Sequence, residues 1–187
     1  SRWCRSRRRT GRPVASPRHD ELGWLTWSIE LASIVAALAL VAWHVMRFAA
    51  LEGESWWWAP LAGLLAFVLA DFASGLVHWM ADTWGRETLP VVGPRFLRPF
   101  RVHHINPDDF LRRAFIDTNG DVAMVTLPLL AGVFFLPLDL WAGRLLSVLV
   151  VSFSACALPI NQVHQWAHMR PPPAPQRQNR VAANRRR

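Results

Sequence analysis

The chain has 187 residues, enough for one domain and short for two, and 52% of them are hydrophobic, high for a soluble protein of this size. Its formal charge of +8 comes from 21 arginines and no lysine, a bias that reads as GC-rich base composition. Two cysteines, Cys4 and Cys156, exclude a disulfide framework, a thiolate zinc site and an iron–sulfur cluster.

A basic chain points to nucleic acid or to an anionic membrane surface. The distribution favours the membrane. Seven arginines fall within residues 1–18, six within 86–113 and six within 170–187, leaving only Arg47 and Arg144 elsewhere. No soluble fold with interleaved basic residues is visible, so a nucleic-acid partner is not expected.

Residues 1–23 are basic and polar and are expected to form a disordered segment. Leu31 to Leu51 is nearly unbroken apolar sequence, long enough for a hydrocarbon core of roughly 30 Å. Glu30 and His44, fourteen residues apart, share approximately one face of that helix. Trp56-Trp57-Trp58 marks an interface, and Ala59 to Ala81 is a second span with Asp71 near its middle. Asp71, Gly75, His78 and Asp82 follow at intervals of four, three and four, which places them on one helix face. An Asp inside a span is expensive and seldom incidental.

Residues 82–121 form a polar stretch broken by prolines and glycines, read as a long functional loop. Asp117-Thr118-Asn119-Gly120-Asp121 resembles a calcium loop only superficially. Its Gly and the absent Glu do not fit, so it reads as a turn in which Asp121 caps the next helix. Val122 to Leu138 and Leu145 to Ile160 are two shorter spans joined by the polar link Asp139 to Arg144, and residues 170–187 form a Pro- and Arg-rich tail expected to be disordered.

The prediction is an all-α polytopic membrane protein: about four transmembrane helices in residues 24–169, flanked by segments 1–23 and 170–187. Four spans put both termini and the 82–121 loop on one side, which then holds 19 of 21 arginines. By the positive-inside rule that side is cytoplasmic. Tryptophans mark both boundaries: Trp24, Trp27, Trp79, Trp84 and Trp166 on the cytoplasmic side, Trp56 to Trp58 and Trp141 opposite.

On the cytoplasmic side this topology also collects His78, His103, His104, His164 and His168, while His19 and His44 stand apart. His164 and His168 are four residues apart, as two ligands on one metal require, and His78 and Asp82 repeat that spacing. His103 and His104 cannot point one way on a helix, but in a loop they can serve two adjacent metals. Imidazole and carboxylate without thiolate suit iron, zinc or manganese. The bland alternative is a set of interfacial polar residues. Arg98, Arg101, Arg112 and Arg113 are most simply positive-inside charge; a phosphate contact with a lipid headgroup by Arg98 and Arg101 is the sharper alternative.

Five strings in order carry a resemblance: Ala70-Asp71-Phe72-Ala73-Ser74-Gly75-Leu76-Val77-His78-Trp79, Asp82-Thr83-Trp84-Gly85, Arg98-Pro99-Phe100-Arg101-Val102-His103-His104, Phe115-Ile116-Asp117-Thr118-Asn119-Gly120-Asp121, and Asn161-Gln162-Val163-His164-Gln165-Trp166-Ala167-His168. Together they resemble the Kua/CarF lipid desaturases over about residues 60–169. The resemblance implies an oxidoreductase: a histidine-rich di-iron enzyme of the bacterial inner membrane that uses O2 to remove two hydrogens from a phospholipid chain. Electrons would come from a donor of cytochrome b5 or ferredoxin type. The plasmalogen-forming branch, which makes a vinyl ether, is preferred, and an acyl-chain desaturase is the alternative. By matching motifs, His78, His103, His104, His164 and His168 would be iron ligands. Asp82 would be a ligand or the partner of His78, and Asp71 and Asn161 would support the site.

Two departures bear on this. Arg112-Arg113-Ala114-Phe115 stands where the family carries Arg-His-Asp-Phe, and arginine cannot replace an imidazole at a metal. After His168 the chain turns into Met169-Arg170-Pro171-Pro172-Pro173 without the family's further histidine block. Five histidines and Asp82 then hold one iron, or two weakly. The expectation is a C-terminally truncated member, with an inactive membrane fragment, or a four-helix protein that only binds anionic lipid or another protein, as further alternatives.

Overall fold

The computed structural model describes residues 23–52, 55–90, 92–106 and 110–169. The tail 170–187 and all but the end of the basic segment 1–23 lie outside the described residues. All regular elements described are helical. They are α1 (Trp24–Ala49), α2 (Ala59–Thr83), a π-helical turn (Gly93–Leu97) running into α3 (Arg98–Ile105), α4 (Phe115–Gly132) closed by a 3-10 turn (Val133–Phe135), α5 (Trp141–Ala157) and α6 (Ile160–His168). Four stretches are long and apolar enough to cross a membrane: α1, α2, α4 with its 3-10 turn, and α5 continued by α6. The chain is an integral membrane protein, as the sequence predicts.

The helices pack as two pairs, α1 along α4 and α2 along α5, with α4 and α5 joining them. In lipid there is no hydrophobic gain from pairing apolar helices, so close van der Waals approach has to supply the attraction. α2 buries Ala62, Ala66 and Ala70, spaced by four, and α5 buries Gly143, Ser147, Ser154 and Ala157. The Ser147 hydroxyl is satisfied within its own helix, donating to Gly143 O at 2.7 Å.

The α1–α4 pair is closer still. A Cβ on Gly120 would collide with the Glu30 side chain. Glu30 and His44 are both buried, as their shared face predicts. The His44 Nε2–H donates to Leu130 O at 3.0 Å, and Arg47 Nη1 donates to His44 Nδ1 at 3.2 Å. The core between these pairs is built from Ala37, Ala123, Leu130, Val133, Val151 and Leu158. Aromatic residues gather at both ends, Trp58 lying 5.4 Å from Trp56 and 6.4 Å from Trp141, and Trp79 lying 5.1 Å from Trp84.

Three sequence expectations are corrected here. α4 begins at Phe115, so residues 117–121 are helical and Asp121 is not a cap. Their polar groups need no turn: Thr118 Oγ1 donates to Ala114 O at 3.0 Å and Asn119 Nδ2 to Phe115 O at 2.8 Å, and Asp117 sits in the first turn, where the helix dipole favours an anion. His103 and His104 lie on helix α3 rather than in a loop, because Pro99 occupies the first turn, where a missing N–H costs nothing. The fourth span starts at Trp141, so Arg144 lies inside α5, its Nη1 donating back to Leu138 O at 2.9 Å and Asp139 O at 3.2 Å.

Gly120→Val should separate α1 from α4 and cost about 1–3 kcal/mol. Gly132→Ala, where an added methyl meets open space, should be neutral or stabilise by up to about 1 kcal/mol. Thermal unfolding of both variants in detergent checks the contrast.

Candidate metal centre

Three helices deliver the histidines. α2 ends with His78 and Asp82, α3 ends with His103 and His104, and α6 carries His164 and His168. Arg101 locks α3 onto the end of α2. It donates to Ala81 O at 3.3 Å, Trp84 O at 3.0 Å and Gly85 O at 3.1 Å, satisfying carbonyls that the helix end leaves open. Gly85 makes the turn with φ of 84°, in the left-handed region, and a Cβ there would lie 2.6 Å from Leu97.

All five histidines predicted as ligands meet. Ring centroids lie 5.3 Å apart for His78 and His104, 5.1 Å for His103 and His164, 5.0 Å for His103 and His168, and 4.7 Å for His164 and His168. Within the cluster His78, His103 and His104 can hold a metal, and so can His103, His164 and His168. Asp82 adds a carboxylate: its Oδ2 is 2.9 Å from His104 Nε2 and 3.4 Å from His78 Nε2, and those two nitrogens are 3.2 Å apart. Atoms bound to one ion at about 2.1 Å lie about 3.0–3.4 Å from one another, so this spacing fits a shared metal.

Two orphaned nitrogens fit as well. His103 Nδ1 and His164 Nε2 are buried without a hydrogen-bond partner, a costly state unless a ligand fills it. Burial foremost, then the neighbouring His164, His104, His78 and His168, lowers the His103 pKa from 6.5 to about 4. Its ring is therefore neutral at pH 7, with a lone pair to give.

Below the histidines runs a cavity of about 220 Å³, bordered by His78, His103 and His164 at one end and by Val125, Leu129 and Phe153 further along. Ala70 lies eight residues from His78 along α2, so the cavity reaches about 12 Å into the span.

The other predicted site residues fall differently. Asn161 borders the cavity and donates to Thr118 O at 2.9 Å. Arg101 turns its guanidinium inward onto the carbonyls named above and to Glu87, 3.8 Å away, and Arg98 is half-buried at the start of α3. Asp71 is exposed on α2 and is not among the residues that border the cavity, although its neighbour Ala70 is. Sequence reasoning missed Gln162 and Gln165, both buried behind α6. Their spacing of three on a nine-residue helix was the available signal.

The family model for the lipid desaturase domain matches residues 67–182. The chain belongs to the lipid desaturase family. It is 35% identical over 151 residues to plasmanylethanolamine desaturase of Myxococcus xanthus, covering 79% of this chain and 52% of that one. It is 40% identical over 147 residues to plasmanylethanolamine desaturase 1 of Mus musculus, covering 74% and 54%. Against the chloroplastic fatty acid desaturase 4 of Arabidopsis thaliana it is 37% identical over 109 residues, covering 58% and 32%. The chain thus spans about half the length of the curated plasmanylethanolamine desaturases it matches. No solved structure matches it.

Arg101→Ala should free α3 from α2 and destabilise the protein by about 1 kcal/mol, since it strips a hydrogen bond from the partly buried Ala81 carbonyl and two from the exposed carbonyls of Trp84 and Gly85. A fall in the thermal midpoint, with Arg101→Lys recovering only part of it, is the expected result.

Proposed function

We propose that this chain is the membrane-embedded part of a lipid desaturase that removes two hydrogens from the ether-linked chain of a phospholipid, giving a vinyl ether. The observation that carries the reading is a cluster of five histidines, three of which, His78, His103 and His164, border a largely apolar cavity running into the membrane span. Such a cavity takes a hydrocarbon chain, and carbons level with the histidines are those near the headgroup end. An ether-adjacent position meets that requirement, whereas a mid-chain position lies deeper.

The two groups that can hold a metal both include His103; because Asp82 lies beside His78 and His104, we assign those three to one metal and His103, His164 and His168 to the other. Imidazole and carboxylate without thiolate fit iron, and bound there it supplies oxygen activation. The balance is two hydrogens from adjacent carbons, with two electrons and two protons, reducing O2 to two waters. The electrons come from a donor of cytochrome b5 or ferredoxin type docking on the cytoplasmic side, where His104 is 53% exposed. Phe96, Phe100 and Phe110 border the upper cavity and keep water from the reacting carbons. Arg98 stands as the candidate for the lipid phosphate. We propose no role for Asp71.

The test is expression in a cell that makes the saturated ether lipid, with mass spectrometry for acid-labile vinyl ethers. Product is expected from the parent chain and none from His164→Ala or Asp82→Ala at equal membrane levels. Altered acyl unsaturation instead would favour the acyl-chain reading, to which the likeness to fatty acid desaturase 4 also points. Neither product, from a chain without bound iron, would overturn both. Leu129→Trp, which fills the inner part of the cavity, should shift the products toward shorter chains.

A further inference from the structure

α6 is only nine residues long, too short to hold its shape alone in water, yet it carries two of the five histidines. It is fixed by three amides. Asn161 Nδ2 donates to Thr118 O of α4 at 2.9 Å, and Gln162 Nε2 donates to Gln165 Oε1 at 2.7 Å. Gln165 Nε2 in turn donates to Phe110 O at 2.7 Å and, at 3.3 Å, to Arg113 O. Asn119 Nδ2 completes the chain at 3.5 Å from Gln162 Oε1. Gln165 is 3% exposed, and its amide is spent on the carbonyls of Phe110 and Arg113 and on Gln162.

The segment that Gln165 grips is not a remote one. The Phe110 ring packs 5.6 Å from the His103 ring and 5.5 Å from the His164 ring. Gln165 therefore ties the backbone of α6 to the residue whose ring packs against both a histidine of α6 and a histidine of α3. His103 itself packs 5.1 Å from His164 and 5.0 Å from His168, so a shift of Phe110 bears on all three contacts.

We infer that Gln165 is a positioning residue for one of two metals. Through Phe110 it fixes the spacing between His103 and the His164–His168 pair, and it leaves the His78–His104–Asp82 group alone. The inference rests on the two-group reading given under the proposed function. The Gln162 side chain orients Gln165 by accepting from Asn119 and donating to Gln165 Oε1. A hydrogen-bonded partner that sets a ligand's place is typically worth about 10–100-fold in metal affinity.

Cobalt(II), titrated into the full chain in detergent and followed by its visible absorption, is the probe. Two ions should bind to the parent chain. Gln165→Met, similar in size but without the donor, should bind one ion as before and the other about tenfold or more weakly. In a His168→Ala background Gln165→Met should change nothing further, whereas in an Asp82→Ala background it should remove the remaining tight ion. A purely structural role predicts instead that both ions weaken together with the thermal midpoint. Unchanged binding of two ions by Gln165→Met overturns the inference and leaves the metal site standing. A parent chain that binds no ion overturns the metal reading itself. Should Gln165→Met fail to fold, Gln162→Met, which removes the bond orienting the Gln165 amide and the long contact with Asn119 but leaves the Gln165 donor in place, is judged by the same outcomes.

Discussion

The close approach of α2 to α5 is the constraint on which the centre depends. His78 and Asp82 ride on the end of α2, while His164 and His168 ride on the extension of α5. The distance between those two helices therefore sets the distance between the two parts of the histidine cluster. Ala62, Ala66 and Ala70 on one side and Gly143, Ser147, Ser154 and Ala157 on the other keep it small. In a bilayer this packing has to come from shape, because the surrounding lipid is as apolar as any leucine. The large side chains of α2 accordingly face outward: Leu61, Leu64, Phe67, Val68 and Phe72 are all exposed.

Crowding basic groups at a membrane surface is costly unless they are kept neutral or occupied. Here burial and mutual repulsion act in the same direction on His103, and the only carboxylate in the contact set, Asp82, sits on the more exposed flank beside His104. His103 is thus buried and neutral, while His104 is exposed beside an anion. That gradient runs from the apolar cavity towards water.

Much of this was legible from residue order. The spans, the tryptophan boundaries and the common side of the five histidines follow from hydropathy and helix spacing. The i,i+4 pairs of His78 with Asp82 and His164 with His168 meet as spacing requires. Where the reading failed, a local signal was outweighed by a less visible one. Residues 117–121 looked like a turn because Asp, Thr, Asn and Gly favour turns. In the fold, Thr118 and Asn119 bond back to their own helix, and Gly120 is required by Glu30 of α1, a contact no local pattern reveals. Arg101 looked like membrane-surface charge, and only the course of the chain between Trp84 and Arg98 brings the end of α2 within its reach. Asp71 shares a helix face with His78 on paper, but seven residues along α2 is about 10 Å, far enough to leave the cluster.

α5 and α6 are joined by Leu158 and Pro159 alone, and Pro159, lacking an N–H, interrupts the helical ladder there. One residue inserted or deleted in the body of α5 would turn everything beyond it by about 100° relative to the face that meets α2. The histidines of α6 would then point at lipid or at α4. The stretch between Ala50 and Trp58 carries no such burden, since nothing beyond it takes its bearing from its length. Lineages of this fold should accordingly vary freely in the links on the far side of the membrane, while the residue count between Gly143 and His168 stays frozen.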